Sequence, residues 1–107
     1  MPLHFVETRA FSARVQEALT PESYHELQLR LAAQPTAGDV IPRGGGLRKI
    51  RWGAAGRGKR GGTRIIYYWA ESEGTILLLF IYPKNAQGDL SPAQIAQLRA
   101  IVAREYP

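Results

Sequence analysis

Cysteine is absent from this sequence, so neither disulfide bonds nor thiolate-bound metals can stabilise the fold, and a reducing compartment suits such a chain. Long apolar segments are absent too. The longest apolar run, residues 76–82, is too short to cross a bilayer, and the opening MPLHFVETRAF lacks the basic and apolar regions of a signal peptide. These absences predict a cytoplasmic protein that makes no contact with a membrane.

Acidic residues are missing from the middle of the chain. Residues 41–70 contain eight Lys or Arg and no Asp or Glu, so the excess charge of this protein (net +5) is confined to one segment. Like charges at such density repel one another, and a concentrated basic patch predicts a polyanionic partner. A solvated surface loop is the alternative interpretation. Three of these basic residues alternate with strand-forming residues, which argues against a purely solvating role.

The N-terminal half predicts one short strand followed by two helices. A chain of 107 residues with 45% hydrophobic residues fits a single globular domain, residues 1–107. Residues 3–6 predict a short edge strand. Apolar residues at helical spacing predict a helix from Phe11, and a second helix follows an N-cap at Thr20 and ends before Pro35. Residues 35–46, rich in Pro and Gly, predict a connecting loop.

The C-terminal half predicts three strands and a last helix. Residues 47–52, 63–69 and 75–82 have strand character, and the third of these is apolar on both faces, as in a buried central strand. Ser91 to Gln94 fits a capping box, so a helix should run from there to about Glu105. The order predicts an α+β fold in which a helical hairpin and a C-terminal helix flank a twisted, mostly antiparallel sheet.

Strand alternation predicts where the basic side chains point, because residues two apart share a face of a sheet. If the helices cover one face of the sheet, the other face should display a set of polar side chains together: Lys49, Arg51, Arg64, Tyr82 and Lys84. The glycine-rich segment 53–62 is not a Walker A loop, since Arg60 and Gly61 follow Lys59 and a strand comes next. A cationic clamp on an RNA backbone fits this segment better.

Other residue types with catalytic potential have ordinary structural explanations. His4 and His25 are far apart in sequence and have no obvious orienting carboxylate, and no Ser-His-Asp triad or metal-ligand cluster can be assembled. Trp52, beside Arg51, is the aromatic side chain best placed to stack on a base, although core packing is the more frequent role. Asp89 either belongs to the turn before the last helix or forms an ion pair with a basic side chain. No cofactor or metal is predicted.

Three stretches of the sequence, GLRKIRW, GRGKRGGTRIIYYW and LLLFIYPKNAQGDLSPAQIAQL, resemble the HigB branch of the RelE/ParE toxin superfamily. The resemblance covers about residues 38–104, with a looser match over the N-terminal helices. It implies a RelE-like compact fold and the toxin half of a type II toxin-antitoxin pair. It also implies an enzyme that enters the ribosomal A site, cuts mRNA there and inhibits translation.

The resemblance also carries site residues onto this chain. Arg64 matches the family's catalytic strand arginine, Lys84 its second basic position, and Arg51, Lys59 and Arg60 further basic positions. Tyr82 is the candidate tyrosine, although the tyrosine of other members lies nearer the C-terminus, and Pro83 stands where a small residue is expected. The predicted catalytic set is therefore Arg64, Lys84, Lys59, Arg51 and Tyr82. The predicted phosphate-binding set is Lys49, Arg57, Arg60 and Arg48.

The implied reaction needs no metal, because RNA carries its own nucleophile. Arg64 and Arg51 would hold the phosphate, either Lys59 or Lys84 would act as general base, and another cation or Tyr82 would act as acid. The implied partners are the ribosome, mRNA and a cognate antitoxin, commonly a helix-turn-helix DNA-binding protein. Two alternatives remain open: a gyrase-inhibiting toxin of the ParE type, and a non-catalytic RNA- or ribosome-binding module.

Overall fold

A computed structural model of the protein describes residues 3–53 and 62–107. In chain order its elements are β1 (His4–Glu7), α1 (Arg9–Ala18), α2 (Pro21–Ala33), β2 (Asp39–Val40), β3 (Leu47–Trp52), β4 (Thr63–Ala70), β5 (Thr75–Pro83) and α3 (Pro92–Glu105). A short 3₁₀ turn, Glu71–Glu73, joins β4 to β5 and ends at Gly74 with φ 60°. This order confirms the α+β class and all three predicted helices.

The five strands form one sheet in the order β1-β5-β4-β3-β2. β1 is parallel to β5, and the other neighbours are antiparallel. β1 lies at an edge, as predicted, whereas the predicted central strand β5 lies second in the sheet and β4 occupies the middle. β2 falls inside the predicted loop 35–46. The sequence does not predict this strand, because two residues flanked by Pro and Gly are too few to show an alternating pattern.

Each helix begins at a residue whose side chain caps it. The side-chain oxygens of Thr8, Thr20 and Ser91 accept hydrogen bonds from backbone N–H groups at the starts of α1, α2 and α3. This satisfies N–H groups that the first turn leaves without a partner. At α3 the side chain of Gln94 also accepts from the backbone N–H of Ser91, which completes the predicted capping box. The start of α3, which borders the candidate site, is thus held by its own sequence.

Helices pack on both faces of the sheet, each over its own hydrophobic cluster. On one face, here called the hairpin face, residues of α1 and α2 such as Phe11 and Leu27 pack on Ile65, Tyr67 and Leu78. On the other, the α3 face, the fully or largely buried residues include Leu47, Ile66, Leu77, Leu79, Leu98 and Val102. The sheet is therefore flanked by helices as predicted, but the condition that one face is free of helices is not met, because α3 covers the apolar residues of the α3 face.

A β-bulge in the β4–β5 pair shapes the α3 face. Ile66 lies opposite Phe80, but the next residue, Tyr67, lies opposite Leu78, so Leu79 is the extra residue. As a result Leu77, Leu79 and Phe80 all contribute to the cluster under α3. Beyond the bulge, regular pairing resumes and aligns β4 with the last residues of β5.

Tyr67 anchors the segment that carries β2. Its side chain is fully buried on the hairpin face, and its hydroxyl donates to the Pro35 carbonyl (2.8 Å) and accepts from the Gly38 N–H (2.8 Å). Residue 38 must be glycine here, because a Cβ atom would lie 2.9 Å from that hydroxyl and 3.0 Å from the Lys49 carbonyl oxygen. This contact holds β2 beside β3.

Candidate active site

Three polar side chains form a cross-strand row at one end of the α3 face. Arg51 of β3 lies directly opposite Arg64 of β4, which lies directly opposite Tyr82 of β5. Directly opposed residues point to the same side of a sheet, with Cβ atoms about 4.5–5.5 Å apart. This group, called the Arg–Arg–Tyr row below, brings together three of the five residues predicted as catalytic.

Burial differs sharply along the row. Arg64 is only 8% exposed and Tyr82 only 4%, whereas Arg51 is open to solvent. Charges in a partly desolvated setting interact more strongly with a nearby ion than charges in water do. The row therefore presents one buried cation and one exposed cation, which suits a site that draws an anion inward from solvent.

Tyr82 is held as a protonated phenol. Its hydroxyl donates to the Gly88 carbonyl (3.1 Å), and its ring contacts that of Phe80 with centroids 5.6 Å apart. Burial raises the pKa of the Tyr82 phenol; nearby Arg64 opposes this shift and Asp89 adds to it. A raised pKa favours the protonated phenol and makes it a weaker proton donor, and in this structure its hydrogen bond goes to the Gly88 carbonyl.

Lys49 lies further along the same face and pairs with an acid. It faces Ile66 on β4, and its Nζ is 3.1 Å from an Asp89 carboxylate oxygen. Asp89 lies between β5 and α3, so both predictions for this residue hold. Lys49, Arg51, Asp39 and Asp89 line one groove of about 390 Å³ on this face.

Lys84 does not join the row. β5 ends at Pro83, one residue earlier, and the Lys84 backbone N–H donates to the Gly62 carbonyl (3.1 Å). Lys84 instead lines a cavity of about 590 Å³ together with residues of α1 and with Ile81, which belongs to the hairpin-face cluster. The shared face expected for Tyr82 and Lys84 is thus not provided by the strand, and the catalytic role of Lys84 stays a prediction.

Arg48 lies on the hairpin side of β3. It is half-buried, lies opposite Tyr67, and donates to the backbone carbonyls of Gly38 (2.8 Å) and Thr36 (3.3 Å). Strand alternation turns Arg48 away from Lys49 and Arg51, and its guanidinium bonds the segment beside β2, so phosphate binding by Arg48 stays a prediction. The predicted residues Arg57, Lys59 and Arg60 lie outside the described residues.

Trp52 and the two histidines, which the sequence singles out, have structural positions apart from the row. The Trp52 indole N–H donates to the Ser23 carbonyl (3.2 Å) and Ser23 Oγ (3.0 Å), and its ring packs on the hairpin-face cluster. His4 on β1 and His25 on α2 are exposed on separate elements. Within residues 3–53 and 62–107, no three His, Asp or Glu side chains converge as metal ligands.

Two charged residues near these surfaces were missed by sequence reasoning. Arg14 of α1 places its guanidinium carbon 5.3 Å from the centre of the Phe80 ring and lines the same cavity as Lys84. Asp39 lies opposite Lys49 on β2 and lines the groove. Helical spacing was the available signal for Arg14, because residues four apart lie on the same side of a helix and Arg14 is four residues before Ala18. Asp39 could be placed opposite Lys49 only once β2 was known.

A protein-family model, described as the RelE toxin of the RelE / RelB toxin-antitoxin system, matches residues 9–106. The match begins after β1 and includes every residue of the Arg–Arg–Tyr row and of the groove. Among the helices of the described ranges, none combines the length and apolarity that a bilayer crossing requires.

Proposed function

The chain belongs to the RelE toxin family, and from that premise we propose that it is a ribosome-dependent endoribonuclease that cuts mRNA in the A site. Family membership makes the protein the toxin of a toxin-antitoxin system, with a RelB-type antitoxin as its partner. Toxins of this family are typically translation-inhibiting ribonucleases. The proposal adds the dependence on the ribosome, the site of cleavage and the residues that act.

The observation that carries the proposal is the opposition of Arg51 and Arg64 on neighbouring strands, with Arg64 buried. Two guanidinium groups side by side can each engage phosphate oxygens in a two-point manner. Such preorganised cations stabilise charge that develops in a transition state by roughly 3–4 kcal/mol each. A phosphodiester under nucleophilic attack develops that charge.

The proposed reaction uses the RNA's own 2′-hydroxyl. Its oxygen attacks the adjacent phosphorus, the bond from phosphorus to the 5′-oxygen breaks, and the products are a 2′,3′-cyclic phosphate and a 5′-hydroxyl. Arg64 and Arg51 hold the non-bridging oxygens. Lys59 or Lys84 removes the 2′-hydroxyl proton, and the protonated Tyr82 phenol or another cation supplies a proton to the leaving oxygen.

Further contacts and the setting follow from the same proposal. Lys49, Arg57 and Arg60 attract the RNA backbone, which is a sequence-independent, salt-sensitive interaction. We propose further that the protein acts in the cytoplasm, where ribosomes and mRNA are found, and that within the family it belongs to the HigB branch, in which case its antitoxin would be a helix-turn-helix protein. An antitoxin that carries acidic residues would compete with RNA for the α3 face.

Primer extension on a defined mRNA, with and without programmed ribosomes, tests the proposal. We expect cleavage only with ribosomes, only within the A-site codon, and with 5′-hydroxyl ends on the downstream fragments. Absence of cleavage by folded protein under both conditions would contradict it. Inhibition of gyrase supercoiling with intact mRNA would then identify a ParE-type toxin, and tight, salt-sensitive RNA binding without cleavage would identify a binding module.

A further inference from the structure

We propose that the groove beside the Arg–Arg–Tyr row binds one base of the mRNA through Asp39 and Asp89 and sets the base preference of cleavage, guanine first and uracil last. The inference rests on the proposed nuclease function and names the subsite that selects the substrate. It assigns a role to two acids that the phosphate chemistry leaves unexplained.

The groove has the dimensions and walls of a small-ligand site. Its volume is about 390 Å³, within the usual range of roughly 300–1,000 Å³ for such sites. Val40, Leu90 and Ile95 contribute apolar wall, and carboxylates are provided by Asp39 and Asp89. An apolar cleft with a few polar groups suits a flat heterocycle that has hydrogen-bonding groups along one edge.

The groove is continuous with the proposed reaction site. Arg51 belongs both to the row and to the groove lining, and Lys49, two residues earlier on β3, also lines the groove. A nucleotide whose phosphate rests on Arg51 and Arg64 would therefore carry its base into or beside the groove. Single-stranded RNA is generally read in this way, with unstacked bases hydrogen-bonded along their Watson–Crick edges.

The two acids favour bases that offer donors. A carboxylate only accepts hydrogen bonds. Guanine offers two adjacent donors to it, N1–H and the 2-amino group, whereas adenine and cytosine offer one amino group at the equivalent edge. Uracil presents one N–H between two carbonyl oxygens, which a carboxylate repels. The preferred order follows from this count of donors and acceptors.

Asp89 lines the groove, pairs with Lys49 and remains accessible. The Nζ atom of Lys49 lies 3.1 Å from one carboxylate oxygen of Asp89, and the Asp89 side chain is 90% exposed. A carboxylate has about four acceptor positions, so one lysine leaves capacity for a base. Exposed ion pairs add little to stability, and an acid near a phosphate site weakens RNA binding, so neither stability nor affinity accounts for Asp89 here.

The test uses Asp39→Asn and Asp89→Asn, which keep shape but replace an acceptor-only group with one that also donates. Each variant and the wild type cleave ribosome-programmed mRNAs carrying each of the four bases at each position of the A-site codon. We expect wild type to prefer guanine over uracil about tenfold at one position, and each variant to reduce that ratio to about threefold or less. Glu26→Gln, on exposed α2, removes the same charge and should leave the ratio unchanged.

The outcomes separate the inference from the function beneath it. If wild type cleaves but shows no preference for guanine over uracil, or if both Asn variants keep the wild-type ratio, the base subsite is wrong and the nuclease proposal stands. If wild type fails to cleave in the presence of ribosomes, the nuclease proposal falls and the subsite falls with it. The melting temperatures of both variants should lie close to that of wild type, which would exclude misfolding as the cause of a changed ratio.

Discussion

The two faces of the sheet are built from the same strands but differ in how they treat polar groups. On the hairpin face, polar side chains serve the fold: the Tyr67 hydroxyl, the Trp52 indole and the Arg48 guanidinium all bond to backbone carbonyls. On the α3 face, hydrophobic cover ends partway along the strands, and beyond it lie the two arginines of the row. Residue type alone does not distinguish these roles, since Arg48 and Arg51 lie three positions apart on one strand.

The difference shows what strand alternation does with a basic segment. Adjacent cations are sent to opposite faces, so mutual repulsion is reduced and only one subset can converge on a ligand. The Arg48 guanidinium donates to backbone carbonyls beside β2, while Lys49 and Arg51 line a groove on the α3 face. Function is thus expected to fail when the α3 face is altered, and stability when the hairpin face is altered.

The largest effect should come from Arg64→Lys, which keeps the charge of the buried cation but removes its forked geometry. A lysine cannot reproduce two-point binding of a phosphate, and loss of one such stabilising group costs about 10²–10³ in rate. We expect at least about a 10²-fold fall in single-turnover cleavage. Arg104→Lys, exposed on α3, is the matched control. A rate within threefold of wild type for Arg64→Lys would remove Arg64 from the chemistry.

The hairpin face should respond to Tyr67→Phe with lost stability and intact cleavage. The change leaves the Gly38 N–H and the Pro35 carbonyl without the hydroxyl that bonds both. Buried groups left unpaired cost about 1–3 kcal/mol, so the free energy of unfolding in urea should fall by that amount. Tyr106→Phe, near the end of the chain, should cost less than about 1 kcal/mol. An unchanged midpoint for Tyr67→Phe would show that the β2 anchor is weaker than its geometry indicates.

Alkaline pH should destabilise the protein through its tyrosines. Burial is the main cause of a raised pKa at Tyr24, Tyr67, Tyr82 and Tyr106, each above the ordinary value of 10.0. Their contribution to stability is complete below about pH 10, and is lost as pH rises through the folded-state pKa values, because the unfolded chain releases its protons first. Urea unfolding at pH 9 and pH 10.5, with tyrosinate absorbance followed on the folded protein, measures this. Equal stability at both pH values would contradict it.

The smallest effect on stability should come from breaking the Lys49–Asp89 ion pair. With side chains 27% and 90% exposed, the pair is largely solvated, and such pairs contribute about 0–1 kcal/mol. A double-mutant cycle with Lys49→Met and Asp89→Asn should therefore give a coupling free energy below about 1 kcal/mol. A coupling above about 2 kcal/mol would mean that the pair stabilises the α3 face and does not merely orient Asp89.

Most of the fold could be predicted from local signals in the sequence. The caps at Thr20 and Ser91, the helical periodicities and the strand at residues 47–52 all appear in the structure as expected, because each depends on neighbours in sequence. β2 could not be predicted, since two residues hold no period. Nor could the bulge after Ile66, which depends on how β4 and β5 pack under α3.

For the site, strand alternation predicts only which face of the sheet each side chain occupies. Alternation along β3 and β4 correctly separated their side chains by face, but the register that sets Arg51 opposite Arg64 needs the three-dimensional pairing. Lys84 was misplaced because β5 ends at Pro83, where the alternation stops. The charge of Arg48 can be read from the sequence, whereas its hydrogen bonds to the Thr36 and Gly38 carbonyls depend on the three-dimensional position of the segment beside β2.

The most direct test of this account is to truncate one arginine on each face and compare the two variants in the same ribosome-programmed cleavage reaction. Arg64→Ala should cut at least about 10²-fold more slowly than wild type. Arg48→Ala should cut within about threefold of wild type, although its melting temperature falls. Equal losses of rate in both variants, or a greater loss in Arg48→Ala, would contradict the assignment of function to the α3 face.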